Sequence, residues 1–213
     1  MLTIHTFCFN AFQENTFVLF NSEKEAIIVD PGCYLKHEQA QLANFISVNN
    51  LTPKLLLNTH CHLDHVFGNN FVSETYGLTA LFHQKEQAVI DRLPEGGARW
   101  GVPTEAYKGK VQYIQQDELI QFGKDVFKVL ETPGHSPGSV CFYNRKEEYV
   151  IAGDVLFEGS IGRTDLPGGD FDTLIRSIKS QLMVMSDDVL VYSGHGPLTT
   201  IGQERISNPY LQA

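Results

Sequence analysis

The sequence predicts an α/β protein in which two β-sheets pack face to face with helices outside them, a four-layer αββα sandwich. Strand-like segments fall into two groups, each accompanied by helix-like segments, and no linker or change of composition separates the groups. The chain has 213 residues, of which 42% are hydrophobic, so it is long enough to bury a large core. Sheets and helices must bury their apolar faces against one another, and the sandwich does this most simply. We therefore expect a single domain over residues 1–213.

The first group of elements is predicted from runs of β-branched and aromatic residues and from helical spacing of apolar residues. Leu42, Phe45 and Ile46 show the helical spacing, and Gly77 follows a helix-like segment and would end it. Asp30 comes directly before Pro31 and Gly32, so it is interpreted first as a turn residue and alternatively as a carboxylate that orients a metal-ligating His. The predicted strands are 2–9, 16–20, 26–29, 54–58 and 79–82, and the predicted helices are 37–48, 67–76 and 84–92.

Residues 93–110 are predicted to form a long loop, which would be either a lid over a binding site or a surface excursion. The prediction rests on the helix- and strand-breaking residues Pro94, Gly96, Gly97, Gly101, Pro103 and Gly109. The second group of elements follows this loop. Its predicted strands are 111–114, 118–122, 126–132, 139–143, 149–152 and 189–192, and its predicted helices are 172–183 and 199–206.

Composition excludes several classes of protein. The net charge is −9 and the isoelectric point is near 5.3, which argues against nucleic acid as a partner because phosphate binding needs clustered Lys and Arg. No window reaches the ~20 apolar residues of a membrane-spanning helix, and the N-terminus does not resemble a secretion signal. A cytoplasmic protein is expected, with its four scattered cysteines reduced.

The most informative motif is His60-x-His62-x-Asp64-His65, which directly follows the predicted strand at 54–58. A strand that ends in three imidazoles and a carboxylate brings several metal ligands to one point. Cys61 lies between two of these ligands and would point away from them in an extended segment, so we expect it to pack in the core. The motif predicts a metal site at the end of this strand.

Three further candidate ligands follow predicted strands in the second group of elements. His135 follows the strand at 126–132, Asp154 the strand at 149–152, and His195 the strand at 189–192. Gly or Pro flanks each of them, so the backbone can turn sharply there and the loops are stiff. These three residues extend the predicted metal site.

Five imidazoles and two carboxylates exceed the four ligands of one tetrahedral zinc. Two divalent ions are therefore expected, with Asp154 as a bridging carboxylate. Two cations lower the pKa of a shared water, which for one zinc is already ~7. Asp64 is the predicted catalytic residue, because its carboxylate could orient that water and take its proton. Such a site would hydrolyse an electrophilic carbonyl or phosphoryl group.

These residues resemble the ligand series of the metallo-β-lactamase superfamily over nearly the whole chain. The resemblance implies that His60, His62 and His135 hold one ion, that Asp64, His65 and His195 hold the other, and that Asp154 bridges them. Zinc is expected first, with iron and manganese as alternatives, because metal availability and site geometry select among these ions.

Within the superfamily, residues 157–165 and 194–204 look most like short bacterial proteins of the glyoxalase II type. β-Lactamases of this fold usually lack a His at the position of His65 or carry Cys at that of Asp154. The implied reaction is hydrolysis of S-D-lactoylglutathione, a small-molecule thioester, to D-lactate and glutathione.

The chain departs from longer glyoxalase II enzymes, which add a C-terminal helical region whose basic residues grip glutathione. Residues 196–213 contain Arg205 as their sole Arg or Lys, and no such region is expected here. Arg163 is the candidate substrate-binding residue. It could equally pair with Asp165 or Asp170 to hold its loop. The sequence does not indicate an oligomeric state.

The main alternative is a persulfide dioxygenase, which shares the fold and uses one iron held by two His and one Asp. Those ligands would be His60, His135 and Asp154. A nuclease or phosphodiesterase is a further class, which the acidic charge disfavours. A scaffold that has lost its chemistry is not favoured while seven candidate ligands are present.

Overall fold

The computed structural model describes residues 2–212. The chain divides into two compact units, an N-terminal unit up to Tyr113 and a C-terminal unit from Ile114 onward. Each unit is built around its own six-stranded sheet. The single domain of the sequence analysis stays a prediction.

The sheet of the N-terminal unit changes from antiparallel to parallel pairing where helices enter the chain. Its strands follow one another in chain order; β1 pairs antiparallel with β2 and β2 with β3, whereas β3, β4 and β5 pair in parallel. Helices form the crossovers between the parallel strands, as parallel pairing requires. The strands are β1 (Thr3–Phe9), β2 (Glu14–Phe20), β3 (Glu25–Val29), β4 (Thr52–Leu57), β5 (Ala80–His83) and β6 (Val111–Ile114), and the first helices are α1 (Lys36–Val48), α2 (Leu63–Val66) and α3 (Asn69–Tyr76).

The core of this unit lies between the sheet and its helices. Val18 and Ile28 of the sheet and Leu42 of α1 are fully buried in it. Because β3 and β4 are parallel neighbours, their carboxyl ends meet at one edge of the sheet. This pairing brings Asp30, which follows β3, close to the His60 motif, which follows β4.

The predicted loop at residues 93–110 is wrong over its first part, because α5 (Leu93–Trp100) is a helix. A 3-10 turn (Gln84–Glu86) and the short helix α4 (Gln87–Ile90) precede it. Pro94 lies in the first turn of α5, where the missing N–H costs nothing. Gly101 ends the helix with a φ of 71°, the left-handed conformation that suits glycine. Two residues that were interpreted as helix breakers are therefore the start and stop signals of α5.

Gly96 and Gly97 give opposite predictions for alanine substitution within α5. A Cβ at Gly96 would meet the Leu63 side chain at an ordinary 3.8 Å, whereas one at Gly97 would lie 2.5 Å from the Val102 carbonyl oxygen. Gly96→Ala should raise the free energy of unfolding by about 0.5–1 kcal/mol, because it removes backbone entropy from the unfolded chain. Gly97→Ala should lower it, because the carbonyl oxygen must move. Urea unfolding of both variants is the measurement, and equal effects of the two would contradict a helix at this place.

The sheet of the C-terminal unit is antiparallel except for one pair, in which β10 and β13 are parallel neighbours. The carboxyl ends of these two strands therefore meet, and they carry Asp154 and His195. The sheet has the order β14-β13-β10-β9-β8-β7, a separate hairpin contains β11 and β12, and helix α6 continues into a π-helical turn (Ile178–Leu182). The elements are β7 (Leu119–Phe122), β8 (Asp125–Glu131), β9 (Val140–Asn144), β10 (Tyr149–Gly153), β11 (Leu156–Phe157), β12 (Ser160–Ile161), α6 (Phe171–Ser177), β13 (Leu190–Ser193), β14 (Thr199–Thr200) and α7 (Ile201–Ser207).

The cysteines of the structure agree with the sequence prediction that they are reduced and that Cys61 packs in the core. All four cysteines are free, as predicted. Cys61 is fully buried in the core of the N-terminal unit, which confirms its packing role. Within residues 2–212, none of the helices combines the length and the apolar character that crossing a membrane requires.

Candidate metal centre

The N-terminal unit brings the four predicted ligands of the His60 motif together at the edge where β4 ends. His62 is the N-terminal cap residue of α2, and Asp64 and His65 lie in the single turn of that helix. The ring of His60 lies 4.8 Å from that of His62 and 4.1 Å from that of His65, measured between ring centroids. His60 and His65 are buried, while His62 and Asp64 are partly exposed. The motif therefore folds into one compact cluster of donor groups.

Asp30 is the residue that organises this cluster, so the alternative interpretation, a carboxylate that orients a ligand histidine, is the correct one. Its backbone does turn, with a φ of 47°, but its carboxylate is fully buried and accepts three hydrogen bonds. The Thr59 backbone N–H donates to Oδ1 at 2.7 Å, and the Thr59 hydroxyl donates to Oδ2 at 2.5 Å. The Nδ1 atom of His65 donates to Oδ2 at 3.1 Å.

These hydrogen bonds fix which nitrogen of each buried histidine can bind a metal. His65 donates through Nδ1 to Asp30, so a metal would bind at its Nε2. The Thr59 hydroxyl has one proton, which goes to Asp30, so at 3.1 Å it accepts from Nδ1 of His60. In both rings Nδ1 is engaged as a donor, so Nε2 is the atom left to bind a metal. A second-shell hydrogen bond of this kind is typical of metal-ligating histidines, and the N-terminal cluster fits a metal ion.

The C-terminal unit brings together the three other predicted ligands. The carboxylate oxygen Oδ2 of Asp154 lies 3.6 Å from Nε2 of His135 and 3.5 Å from Nε2 of His195. Two ligand atoms that are each ~2.1 Å from a tetrahedral zinc lie about 3.4 Å apart. The carboxylate oxygen of Asp154 is therefore close enough to each imidazole nitrogen to share an ion with it. The same spacing fits three ligands of a single ion, so the bridging role of Asp154 stays a prediction.

Backbone hydrogen bonds hold these three ligands in place. Nδ1 of His135 donates to the backbone carbonyl of Arg163 at 2.7 Å, which leaves Nε2 as the metal donor. The Gly194 N–H donates to the Gly153 carbonyl at 2.8 Å, so the loops that carry His195 and Asp154 are joined directly. The seven candidate ligands therefore occur as a set of four in one unit and a set of three in the other.

Gly162 packs against two of the ligands and gives a further prediction. A Cβ at this position would lie 1.9 Å from the backbone carbonyl oxygen of Asp154 and 3.1 Å from Cβ of His135. Gly162→Ala should therefore displace both ligands and reduce the metal content of the purified protein at least tenfold. Elemental analysis would measure the loss. Gly159→Ala is the control, because its Cβ would meet no atom within 4 Å and should cost about 1–2 kcal/mol of stability through its left-handed backbone. Full metal content in the Gly162 variant would show that these ligands tolerate displacement.

Arg163 forms an ion pair with Asp165, one of the two acidic partners that the sequence analysis considered. Its Nε and Nη2 atoms donate to the two carboxylate oxygens at 2.7 and 2.6 Å. The hydrogen bonds from Arg163 lower the pKa of Asp165 to about 2. Asp170 instead caps helix α6 by accepting from the Thr173 N–H. Arg163 is about half exposed, and its substrate-binding role stays a prediction.

Imidazoles and carboxylates that gather at strand ends, with the Nδ1 atoms of His60, His65 and His135 held by hydrogen bonds, are typical of a metal-dependent enzyme. The family model described as the metallo-beta-lactamase superfamily matches residues 9–195, and the chain belongs to that superfamily. The predicted family and its αββα fold are thereby confirmed. The protein is a metal-dependent hydrolase of this superfamily.

Individual relatives resemble the chain over nearly its whole length. Hydroxyacylglutathione hydrolase GloC of Haemophilus influenzae is 38% identical over 205 residues, which cover 95% of each chain. The crystal structure of BLEG-1 B3 metallo-beta-lactamase is 38% identical with a TM-score of 0.92, over 99% of this chain and 100% of that one. TTHA1623 in a di-iron-bound form is 33% identical with a TM-score of 0.88, over 97% and 100%.

Proposed function

We propose that the protein hydrolyses S-D-lactoylglutathione or a related acyl thioester. The observation that carries this proposal is the full-length similarity to hydroxyacylglutathione hydrolase GloC, at 38% identity over 95% of both chains. The complete set of candidate ligands agrees with it. The substrate would be a small molecule, because the net charge of −9 disfavours nucleic acid.

The two sets of ligands would form one centre for two divalent ions. His60, His62 and His135 would hold one ion, Asp64, His65 and His195 the other, and Asp154 would bridge them. Bound ions would polarise the thioester carbonyl and supply a strongly acidified water at neutral pH. Zinc is the first expectation, and the di-iron form of TTHA1623 supports iron as an alternative. The donor set itself accepts either metal.

Asp64 would act on the attacking water. Its Oδ2 lies 3.9 Å from Nε2 of His65, and its side chain is 15% exposed. A carboxylate in this position can reach solvent from the ligand cluster and can take a proton. The thiolate is a good leaving group, so no strong general acid is required. Asp64 would therefore serve both as a ligand and as the proton acceptor.

Recognition of the thiol carrier would depend on residues outside the C-terminal segment. Arg205, the sole Arg or Lys after His195, is engaged inside its own unit. Its Nη2 donates to the backbone carbonyls of Met183 and Met185 at 3.0 and 2.8 Å, and its Nη1 pairs with Asp187. Arg163 is the more exposed of the two, but its guanidinium is paired with Asp165, so it would have to leave or share that pair to bind a glutathione carboxylate.

The test is hydrolysis of S-D-lactoylglutathione by purified, metal-replete protein beside an Asp64→Ala variant. We expect rapid thioester loss that disappears in the variant. Absence of turnover by fully metallated protein would exclude this substrate. Oxygen uptake with glutathione persulfide, together with about one iron per chain, would then support the dioxygenase alternative.

Hydrolysis of a β-lactam amide is the second candidate, because BLEG-1 is as similar to this chain as GloC is. An amide leaves less readily than a thiolate and needs protonation, so this reaction makes greater demands on the site. Measuring kcat/KM for S-D-lactoylglutathione and for a chromogenic cephalosporin in the same preparation would rank the two. A higher value for the cephalosporin would overturn the thioesterase proposal.

A further inference from the structure

Glu14 is a buried acidic residue behind the N-terminal ligand cluster that has no role in the proposed hydrolysis. It is the first residue of β2 and is fully buried. Its Oε2 lies 2.8 Å from the hydroxyl of Thr16. The same hydroxyl lies 2.8 Å from the backbone carbonyl oxygen of Asp30 and 2.8 Å from the backbone nitrogen of Gly32.

The three neighbours of the Thr16 hydroxyl determine the direction of each hydrogen bond. A hydroxyl has one proton to donate and two lone pairs that accept. The Gly32 N–H can only donate, so it uses one lone pair. The Asp30 carbonyl can only accept, so it takes the single proton. The remaining contact, with Glu14, is a hydrogen bond only if Glu14 supplies the proton.

We infer that Glu14 is a neutral carboxylic acid at neutral pH and that it positions Asp30 by donating a hydrogen bond to Thr16. An ionised Glu14 would leave two oxygen atoms 2.8 Å apart with no proton between them. Its other oxygen, Oε1, is buried and accepts no hydrogen bond within residues 2–212. Such an oxygen costs much less free energy as a carbonyl than as part of a carboxylate.

The electrostatic surroundings of Glu14 agree with this protonation state. Burial is the largest cause that raises the pKa of Glu14 well above its ordinary value; His65 and the hydrogen bond with Thr16 oppose the rise, whereas Asp30 and Asp64 add to it. Glu38 of the same unit provides a contrast. It accepts three backbone N–H groups, from Asn10, Tyr34 and Leu35, at 2.7–2.8 Å, and therefore acts as an acceptor throughout.

Glu14 would influence the position of the metal ligands through Thr16 and Asp30. Thr16 holds the backbone of Asp30 and of Gly32, and the Asp30 carboxylate orients Thr59 and His65. Glu14 would therefore be a positioning residue for the ligand cluster, and this step rests on the proposed metal centre. A neutral Glu14 also keeps Asp30 the sole anion of the Glu14–Thr16–Asp30 chain, so no second negative charge competes for the same donors.

Glutamine substitution tests the inference, because a carboxamide can donate to Thr16 as a carboxylic acid does but carries no charge. We would compare wild type with Glu14→Gln, Glu14→Ala and Glu38→Gln. Infrared spectra above pH 7 should show the carbonyl band of a protonated carboxylic acid, which Glu14→Gln removes and Glu38→Gln retains. Metal content should be unchanged in Glu14→Gln and at least tenfold lower in Glu14→Ala. These spectra are independent of the reaction, so a failure of the thioesterase proposal would leave them unaffected.

The stability of the protein supplies a second readout. A carboxyl group whose pKa is raised in the folded state stabilises fully below its unfolded pKa of ~4.3, and this contribution is lost as pH rises toward the folded pKa. The urea midpoint of Glu14→Gln minus that of wild type should therefore increase as the pH is raised from about 4.5 to 8. A constant difference over this range, or wild-type spectra without the carbonyl band, would show that Glu14 is ionised and would overturn the inference.

Discussion

Asp154→Asn is expected to lower the metal content of the purified protein from about two ions per chain to fewer than one, and kcat/KM for thioester hydrolysis at least about 100-fold. The carboxylate oxygen Oδ2 lies within 3.6 Å of a donor nitrogen of both His135 and His195. An amide at this position has no negative charge and cannot bridge two cations. A 100-fold loss corresponds to about 2.7 kcal/mol of transition-state stabilisation.

The matched control is Asp170→Asn in the same unit. Asp170 caps helix α6 by accepting from the Thr173 N–H at 2.8 Å, and asparagine caps helices equally well. This variant should keep its metal content and its activity. Elemental analysis and initial rates measure both variants in one series. Two ions per chain in Asp154→Asn would show that Asp154 is not a bridging ligand, whatever the activity.

The candidate ligands could be predicted from sequence because each directly follows a strand that is recognisable by its apolar residues. His60 follows β4, Asp154 follows β10 and His195 follows β13. Strand ends are fixed by local composition, and parallel neighbours bring their carboxyl ends to one edge. Chemistry then limits what several imidazoles and carboxylates at one edge can do. The residue types and their places at strand ends were therefore predictable from local sequence, whereas the approach of Asp154 to His195 depends on the long-range pairing of β10 with β13.

The residues that support the ligands are harder to predict: the sequence offered the orienting role of Asp30 only as the second interpretation and gave no sign of Glu14. Asp30 lies 35 positions before His65 in the chain, and its sequence context, followed by proline and glycine, is that of an ordinary turn. Its role depends on the parallel pairing of β3 with β4, which the local sequence does not encode. The same holds for Glu14, whose protonation state follows from the three neighbours of one hydroxyl group.

Helix α5 was predicted as a loop because its proline and glycine residues indicated that no helix could form there. Pro94 and Gly101 lie at its two ends, and a Cβ at Gly97 would clash with the Val102 carbonyl oxygen. Glycine lowers helix propensity by ~1 kcal/mol, and tertiary packing of Leu93 and Gly97 offsets that cost. Local propensity alone cannot reveal such packing.

Asp30→Ala is expected to lower the free energy of unfolding by about 3–5 kcal/mol even in the metal-free protein. The substitution leaves three buried donors without their acceptor, namely the backbone N–H and hydroxyl of Thr59 and Nδ1 of His65. Each buried donor that loses its partner costs about 1–3 kcal/mol. Urea unfolding in the presence of a chelator would measure this loss separately from any contribution of bound metal.

Asp125→Ala is the control for burial of an aspartate as such. Asp125 is also buried, but its carboxylate pairs with the exposed amine of Lys146 at 3.1 Å, which water can hydrate once the carboxylate is gone. This variant should lose no more than about 1 kcal/mol from the broken pair.

In the metal-bound protein, Asp30→Ala should in addition weaken metal affinity about 10–100-fold, because His65 loses the hydrogen bond that fixes its tautomer. Equal stability losses for the two variants, with unchanged metal affinity, would mean that Asp30 fills space and does not orient the ligands.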